Sequence, residues 1–140
     1  MSDPFDLRRF VLAQQDVYDA ARSELRAGRK TSHWMWFIFP QIAGLGRSPM
    51  AMHYAIGSID EARAYLAHPL LGARLRECVA ALDGLPPSSP EAVLGTIDAQ
   101  KLRSSLTLFS EASGEAAFAT ALLRWFGSKD PATLERLALR

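Results

Sequence analysis

Residues 29–41, RKTSHWMWFIFPQ, place polar side chains at both ends of an apolar run that contains two tryptophans. The side chains in it that can bind a ligand or move a proton are Lys30, Ser32, His33, Trp34, Trp36 and Gln41. A mostly apolar wall with a few placed polar groups is the usual composition of a small-molecule site. The alternative is a plain core helix, because large aromatic side chains are more often buried for packing alone.

A second stretch, DAQKLRSSLTLF at 98–109, carries cations and hydroxyls at helical spacing. Lys101 and Ser104 are three residues apart, so they share one face of a helix. Together with Lys30, the cations Lys101 and Arg103 are candidates to converge on a phosphate or carboxylate. The alternative is an ordinary amphipathic helix whose serines bond back to its own backbone.

The sequence carries no recognisable metal, cofactor or nucleophile motif. His33, His53 and His68 lie at no metal-ligand spacing from one another, and Cys78 is alone among apolar neighbours. The glycine loop AGLGRSPM matches neither the dinucleotide fingerprint nor the P-loop. We therefore predict no metal and no cofactor and leave catalysis open. His33 is the best general-base candidate if there is a reaction.

These residues must be positioned by helices. Helical periodicity recurs along the chain, and the predicted fold is all-α: a single-domain, irregular multihelical array of about eight or nine short helices over residues 1–140. One helix is expected from Asp3-Pro4 to Gly28. Residues 32–39 are predicted as a short buried helix, since no strand-like run elsewhere is available to pair with them.

Polar residues just before the other helical stretches give the helix starts. Ser48, Ser58, Ser89, Asp98 and Asp130 are predicted as N-caps, because a side-chain oxygen can accept a hydrogen bond from a free N–H of the first turn. Capping of this kind explains the aspartates without any catalytic role.

The composition argues against two classes of binding partner and indicates a cellular location. The chain has 140 residues and a net charge of +1, with 49% hydrophobic and 22% charged residues. A near-neutral globular composition argues against nucleic acid and membrane surfaces as partners, because both usually select a basic surface. A single cysteine and an N-terminus without an apolar signal segment predict a cytoplasmic protein.

Several segments resemble one known family. The tryptophan motif extended to GRKTSHWMWFIFPQIAGLGRSPMAMHYAI, together with EARAYLAHPLLGARLREC and DAQKLRSSLTLF, is similar to the DUF1810 family of uncharacterised bacterial proteins. The resemblance covers nearly the whole chain and implies an all-α fold, but no reaction. Some members carry the label calpastatin, which does not fit, because such an inhibitor is expected to be disordered and this composition is globular.

Three functions are consistent with these observations. The first is binding of a small anionic ligand, such as a nucleotide or nucleotide-sugar, in a tryptophan-lined pocket. The second is a non-enzymatic interaction or homodimerisation module that exposes the apolar run. The third is an enzyme acting on ADP-ribosyl or related nucleotide groups, which rests on analogy at the level of the fold. A buried motif with no role in binding is the remaining interpretation, and the oligomeric state, monomer or homodimer, stays open.

Overall fold

The computed structural model describes residues 2–139, which form helices joined by short loops. The helices are α1 (Arg8–Gln14), α2 (Tyr18–Ala27), α3 (Met35–Ile38), α4 (Pro49–His53), α5 (Ile59–Ala67), α6 (Leu71–Asp83), α7 (Pro90–Leu94), α8 (Thr96–Ser113), α9 (Ala116–Trp125) and α10 (Pro131–Ala138). The predicted all-α, irregular multihelical array is confirmed. The described residues form ten helices, where eight or nine were expected.

Helix α8 is the centre of this array. It packs against α5, α7, α9 and α10, and every residue from Ser104 to Ser110 is buried. Side chains from α1, α2, α3, α5, α6, α7 and α9 complete one hydrophobic cluster around it. A helix surrounded in this way has no solvent face in its middle, so its polar side chains depend on partners inside the protein. Ser104 and Thr107 have such partners, whereas the Ser105 hydroxyl has none among the described residues.

The prediction of a single helix between Asp3 and Gly28 is wrong, because the helix is interrupted between α1 and α2. At the break, the backbone N–H of Val17 bonds to the carbonyl of Gln14, a tighter turn than the α-helical one. The apolar stripe continues across it because residues spaced three and four apart stay buried on both sides of such a turn. Gly28 ends α2 in a left-handed conformation at φ 74°, as predicted.

The tryptophan run is helical only over Met35–Ile38, a shorter segment than the predicted 32–39. Trp34 rather than a polar residue precedes the helix, and it provides no side-chain cap. Beyond Pro40 the chain is extended, and Ile42 forms an isolated parallel bridge with Ile56. Extended pairing therefore does occur next to the motif. It was not predicted because the sequence has no long strand-like run.

The capping predictions hold at four of five sites. Ser48, Ser58, Ser89 and Asp130 each accept a hydrogen bond from the backbone N–H three residues later. Asp98 was predicted wrongly. It lies inside the first turn of α8, whose cap position is held by Gly95 at φ 85°. Glycine adopts that conformation at little cost, and the Asp98 carboxylate is thereby left to pair with other groups.

Candidate functional site

The entry to the tryptophan motif is held by Glu24, near the end of α2. One carboxylate oxygen accepts hydrogen bonds from the backbone N–H groups of Thr31 and Ser32 at 2.7 and 2.9 Å, and from the Trp34 indole N–H at 3.0 Å. The other oxygen accepts from the Ser32 hydroxyl at 2.5 Å. Trp34 is only 1% exposed, so Glu24 satisfies a donor that has no access to water.

These donors change the ionisation of Glu24. Burial of the carboxylate raises its pKa, but the hydrogen bonds from the Ser32 hydroxyl, from the Thr31 and Ser32 backbone and from Trp34 outweigh burial and lower the pKa to about 2. The group is therefore charged at neutral pH. Charge-assisted bonds of this kind are stronger than neutral ones, so Glu24 fastens the loop at 29–33 to α2.

Stability is expected to depend on the ionisation of Glu24 in acid. Since the pKa falls from 4.5 in the unfolded chain to about 2 when folded, the stabilisation is complete above pH 4.5 and is lost as the pH falls towards 2. Partial solvent access to Glu24 reduces this stabilisation, and we expect the free energy of unfolding to fall by about 1–2 kcal/mol over that pH range. Urea unfolding of wild type and Glu24→Gln at pH 6 and pH 2.5 measures it. The stability difference between the two proteins should shrink at the lower pH; a difference independent of pH contradicts the assignment.

Two lysines predicted to converge share one carboxylate. Asp98 lies 2.9 Å from Lys30 Nζ and 3.6 Å from Lys101 Nζ. Each ammonium also lies over an indole ring at 5.0 Å, Lys30 over Trp34 and Lys101 over Trp36. Cation–π contacts of this length are attractive. The group of two ammoniums and one carboxylate carries a net positive charge, and Lys30, with its side chain 9% exposed, is its less accessible cation.

A cleft of about 500 Å³ opens beside Lys101, between the loop after α3 and the start of α8. Its lining residues are Gln41, Leu45, Gly46, Thr96, Ile97, Gln100, Lys101, Ser104, Asp130 and Ala132. The predicted site residues Gln41, Lys101 and Ser104 are therefore brought to one cavity. Neither Trp34 nor Trp36 belongs to the lining, and Trp36 is connected to the cleft through the Lys101 side chain that covers it.

The floor of the cleft is a buried polar cluster on Asp130. Its carboxylate accepts hydrogen bonds from the hydroxyls of Ser104 at 2.8 Å and Thr133 at 2.6 Å, and from the amide of Gln100 at 3.3 Å. The Asp130 backbone N–H donates to the Thr107 hydroxyl at 2.9 Å. The Ser104 hydroxyl oxygen also lies 3.1 Å from the Gln100 carbonyl oxygen, which is an alternative acceptor for its single proton. Ser104 thus lines the cleft and also fastens α10 to α8 through Asp130; its predicted role in ligand binding stays a prediction.

The N-terminus of α8 forms part of the cleft wall through Thr96 and Ile97. Gly95 provides no side-chain cap, and the backbone N–H groups of residues 96–98 donate no hydrogen bond to any group within residues 2–139. Free N–H groups at the start of an 18-residue helix carry partial positive charge. With Lys101 one turn further on, this end of the cleft is electropositive.

The remaining predicted residues lie elsewhere. Arg103 points away from the cleft and donates to the carbonyls of Ser128 and Lys129 at 3.2 and 2.9 Å, and to the Ser128 hydroxyl at 2.7 Å. It thereby holds the loop between α9 and α10. His33 is exposed, and its side chain makes no hydrogen bond or ion pair in the described part of the chain. Ser32 is engaged by Glu24.

The other groups with reactive potential have structural surroundings. His68 Nδ1 accepts hydrogen bonds from the backbone N–H groups of Leu70 and Leu71 at the start of α6. Burial raises the pKa of the Cys78 thiol to about 12, which leaves little of the reactive thiolate. Among residues 2–139 no group of three or more potential ligands is arranged to hold a metal ion.

The match to known proteins agrees with the fold and with the motif. The family described as "Protein of unknown function (DUF1810)" matches residues 4–137. The chain belongs to this family. A solved structure similar to this DUF1810 protein is that of the conserved hypothetical protein Rv1873 from Mycobacterium tuberculosis, at 48% identity and a TM-score of 0.96. The match covers 99% of this chain and 100% of that one. No curated protein matches the chain.

Two carboxylates that organise this part of the DUF1810 protein, Glu24 and Asp98, were not among the residues predicted for the site. Glu24 was overlooked because its partners follow seven to ten residues later, across the turn at Gly28. Asp98 was interpreted as a cap, although the glycine before α8 already indicates a start without one. Between residues 2 and 139, no helix combines the length and the apolarity needed to cross a bilayer.

Proposed function

We propose that this DUF1810 protein binds a small anionic ligand, of the nucleotide or nucleotide-sugar class, in the cleft beside Lys101. The observation that carries the proposal is the position of Lys101 at the electropositive end of the cleft. Its ammonium lies over Trp36 and is only 3.6 Å from Asp98. Asp98 is already engaged at 2.9 Å by Lys30, so Lys101 retains positive charge for a ligand.

The rest of the cleft suits an organic molecule attached to that anion. Leu45, Ile97 and Ala132 provide apolar surface, and Gln41 and Gln100 provide amide groups for hydrogen bonds. A volume of about 500 Å³ lies within the range of small-molecule sites. Asp130 lines the floor, but its carboxylate is occupied by hydroxyl and amide donors, which reduces its repulsion of a ligand anion.

Lys101→Ala is expected to weaken ligand binding about tenfold or more, since it removes a charge-assisted hydrogen bond. Isothermal titration calorimetry against a panel of nucleotides, nucleotide-sugars and ADP-ribose measures the affinity. Tryptophan fluorescence provides a second readout, because Trp36 is only partly buried and lies under Lys101. The matched control is Lys129→Ala, which removes an exposed lysine paired with Glu111 and should bind as wild type does.

The proposal is contradicted if no compound of the panel gives binding heat or a fluorescence change, and if Lys101→Ala is indistinguishable from wild type. The same samples test the two alternatives. An interaction or homodimerisation module requires tryptophan at a surface patch, yet Trp34 is 1% exposed. A concentration-dependent dimer that dissociates on Trp36→Ala would nevertheless favour that module. If chromatography shows that a compound of the panel is converted during incubation, the protein is an enzyme.

A further inference from the structure

A second cavity lies on the other side of the loop that follows α3. Its volume is about 450 Å³, and its wall includes Gly44, Gly46, Arg47 and Arg136. Gly46 lines this cavity and the α8 cleft alike, so the two spaces adjoin at one residue. The lining of the second cavity contains two arginines and no aspartate or glutamate, which makes it more basic than the α8 cleft.

The guanidinium of Arg136 lies against the backbone of Gly44. A Cβ atom placed on Gly44 would be 3.0 Å from the Arg136 Cζ and Nη1 atoms and 3.1 Å from Nε. Three nearly equal distances mean that the flat face of the guanidinium covers the glycine. Gly44 has φ of 100°, a conformation that favours glycine. The absent side chain therefore leaves room for the guanidinium to pack against the backbone.

Neither arginine has a partner that uses these donors. Within residues 2–139, the side chains of Arg47 and Arg136 form no ion pair and donate no hydrogen bond, and both are exposed. The contrast is with Arg9, Arg76 and Arg103, whose guanidiniums each donate to named carboxylates, hydroxyls or carbonyls. Each guanidinium offers five N–H donors in a rigid fork. The cavity thus presents two unused forks and no acid.

We propose that this cavity is a phosphate subsite, in which Arg136 and Arg47 hold a phosphate group of the ligand whose other end occupies the α8 cleft. The guanidinium fork matches the oxygens of phosphate in a two-bond geometry that a lysine ammonium lacks. Because Gly46 lines both cavities and carries no side chain, a ligand that spans them would cross the loop at this residue. The inference rests on the proposed function and narrows its ligand class to molecules with a phosphate group at one end.

The test uses inorganic phosphate and pyrophosphate, titrated into the ¹⁵N-labelled protein and followed by NMR. Saturable shifts are expected in the backbone N–H signals of Gly44 and Gly46 and in the side-chain Nε–H of Arg136. Arg136→Ala should weaken pyrophosphate binding about tenfold or more. Arg136→Lys, which keeps the charge but loses the fork, should recover only part of that affinity. Both variants are expected to fold, because the Arg136 side chain holds no other group by a hydrogen bond or ion pair.

The matched control is Arg29→Ala, which removes one exposed arginine that lines neither cavity. Equal weakening by Arg29→Ala and Arg136→Ala would overturn the subsite, because it indicates general charge screening. Shifts confined to Lys101 and residues 96–98 would also overturn it, while leaving the proposed function of the α8 cleft in place. Shifts at Gly44 and Arg136 that survive Lys101→Ala would support the subsite even if the panel of larger ligands gave no binding at the α8 cleft.

Discussion

Glu24→Ala is expected to lower the free energy of unfolding by about 3 kcal/mol. The substitution removes four hydrogen bonds to a charged group and leaves the indole N–H of Trp34, which is 1% exposed, without an acceptor. A buried donor left unpaired costs about 1–3 kcal/mol, and the loss of charge-assisted bonds adds to that. Urea unfolding monitored by circular dichroism at pH 7 measures the change.

Two further variants show whether the carboxylate or only its shape matters. Glu24→Gln keeps one acceptor oxygen but brings an NH₂ group towards donors, so an intermediate loss is expected. Glu77→Ala serves as the matched control, because Glu77 pairs with Arg22 at 3.3 Å with 47% of its side chain exposed, and such pairs contribute less than about 1 kcal/mol. A Glu24→Ala loss no larger than that of Glu77→Ala would contradict the role of Glu24.

The same substitution should also affect ligand binding. Glu24 holds the loop that carries Lys30, and Lys30 in turn occupies Asp98 beside Lys101. When the loop is loosened, Asp98 is expected to pair with Lys101 more closely and to neutralise it. Ligand affinity in the α8 cleft should therefore fall in Glu24→Ala protein that is still folded, although Glu24 does not line the cleft.

Arg9→Met is expected to destabilise the protein by about 4 kcal/mol. Arg9 Nη2 lies 2.7 Å from a carboxylate oxygen of Glu61, and their side chains are only 12% and 9% exposed. The guanidinium also donates to the carbonyls of Phe5, Asp6, His53 and Ala55. Removing one partner of a buried pair leaves an uncompensated charge, which costs about 3–5 kcal/mol. The measurement is again urea unfolding at pH 7.

The double variant Arg9→Met/Glu61→Gln separates the lost pair from the stranded charge. Because the neutral amide is easier to bury than a lone carboxylate, the double variant should be more stable than Arg9→Met alone by about 1–2 kcal/mol. Lys129→Met breaks the exposed pair with Glu111 at 2.9 Å and should cost less than about 1 kcal/mol. Equal losses for Arg9→Met and Lys129→Met would contradict the importance of the buried pair.

This ion pair also shapes the candidate sites. Arg9 holds the carbonyls of His53 and Ala55, and the next residue, Ile56, bonds through its N–H and C=O to Gln41 and Ala43 at 2.8 Å. Those bonds fix the start of the loop that separates the α8 cleft from the arginine cavity. The N-terminal segment therefore supports the start of this loop, at the point where the tryptophan motif ends.

The sequence was sufficient wherever the deciding interaction is local. Ser48, Ser58, Ser89 and Asp130 cap helices because their oxygens reach N–H groups three residues away, and Gly28 ends α2 through its own backbone freedom. The all-α class follows for the same reason, since helix hydrogen bonds and apolar stripes involve residues within one or two turns. The tryptophan motif also identified the family.

Only the tertiary structure decided which polar groups face a cavity and which hold another part of the chain. Lys101 and Arg103 are two residues apart on α8, yet one lies at the cleft and the other holds the loop before α10. The guanidinium of Arg136 packs against Gly44, although the two residues are far apart in the sequence. A charged side chain is available to a ligand when its surroundings do not fully use its charge and its donors. Those surroundings come from helices that pack together although they are distant in sequence, which no local pattern encodes.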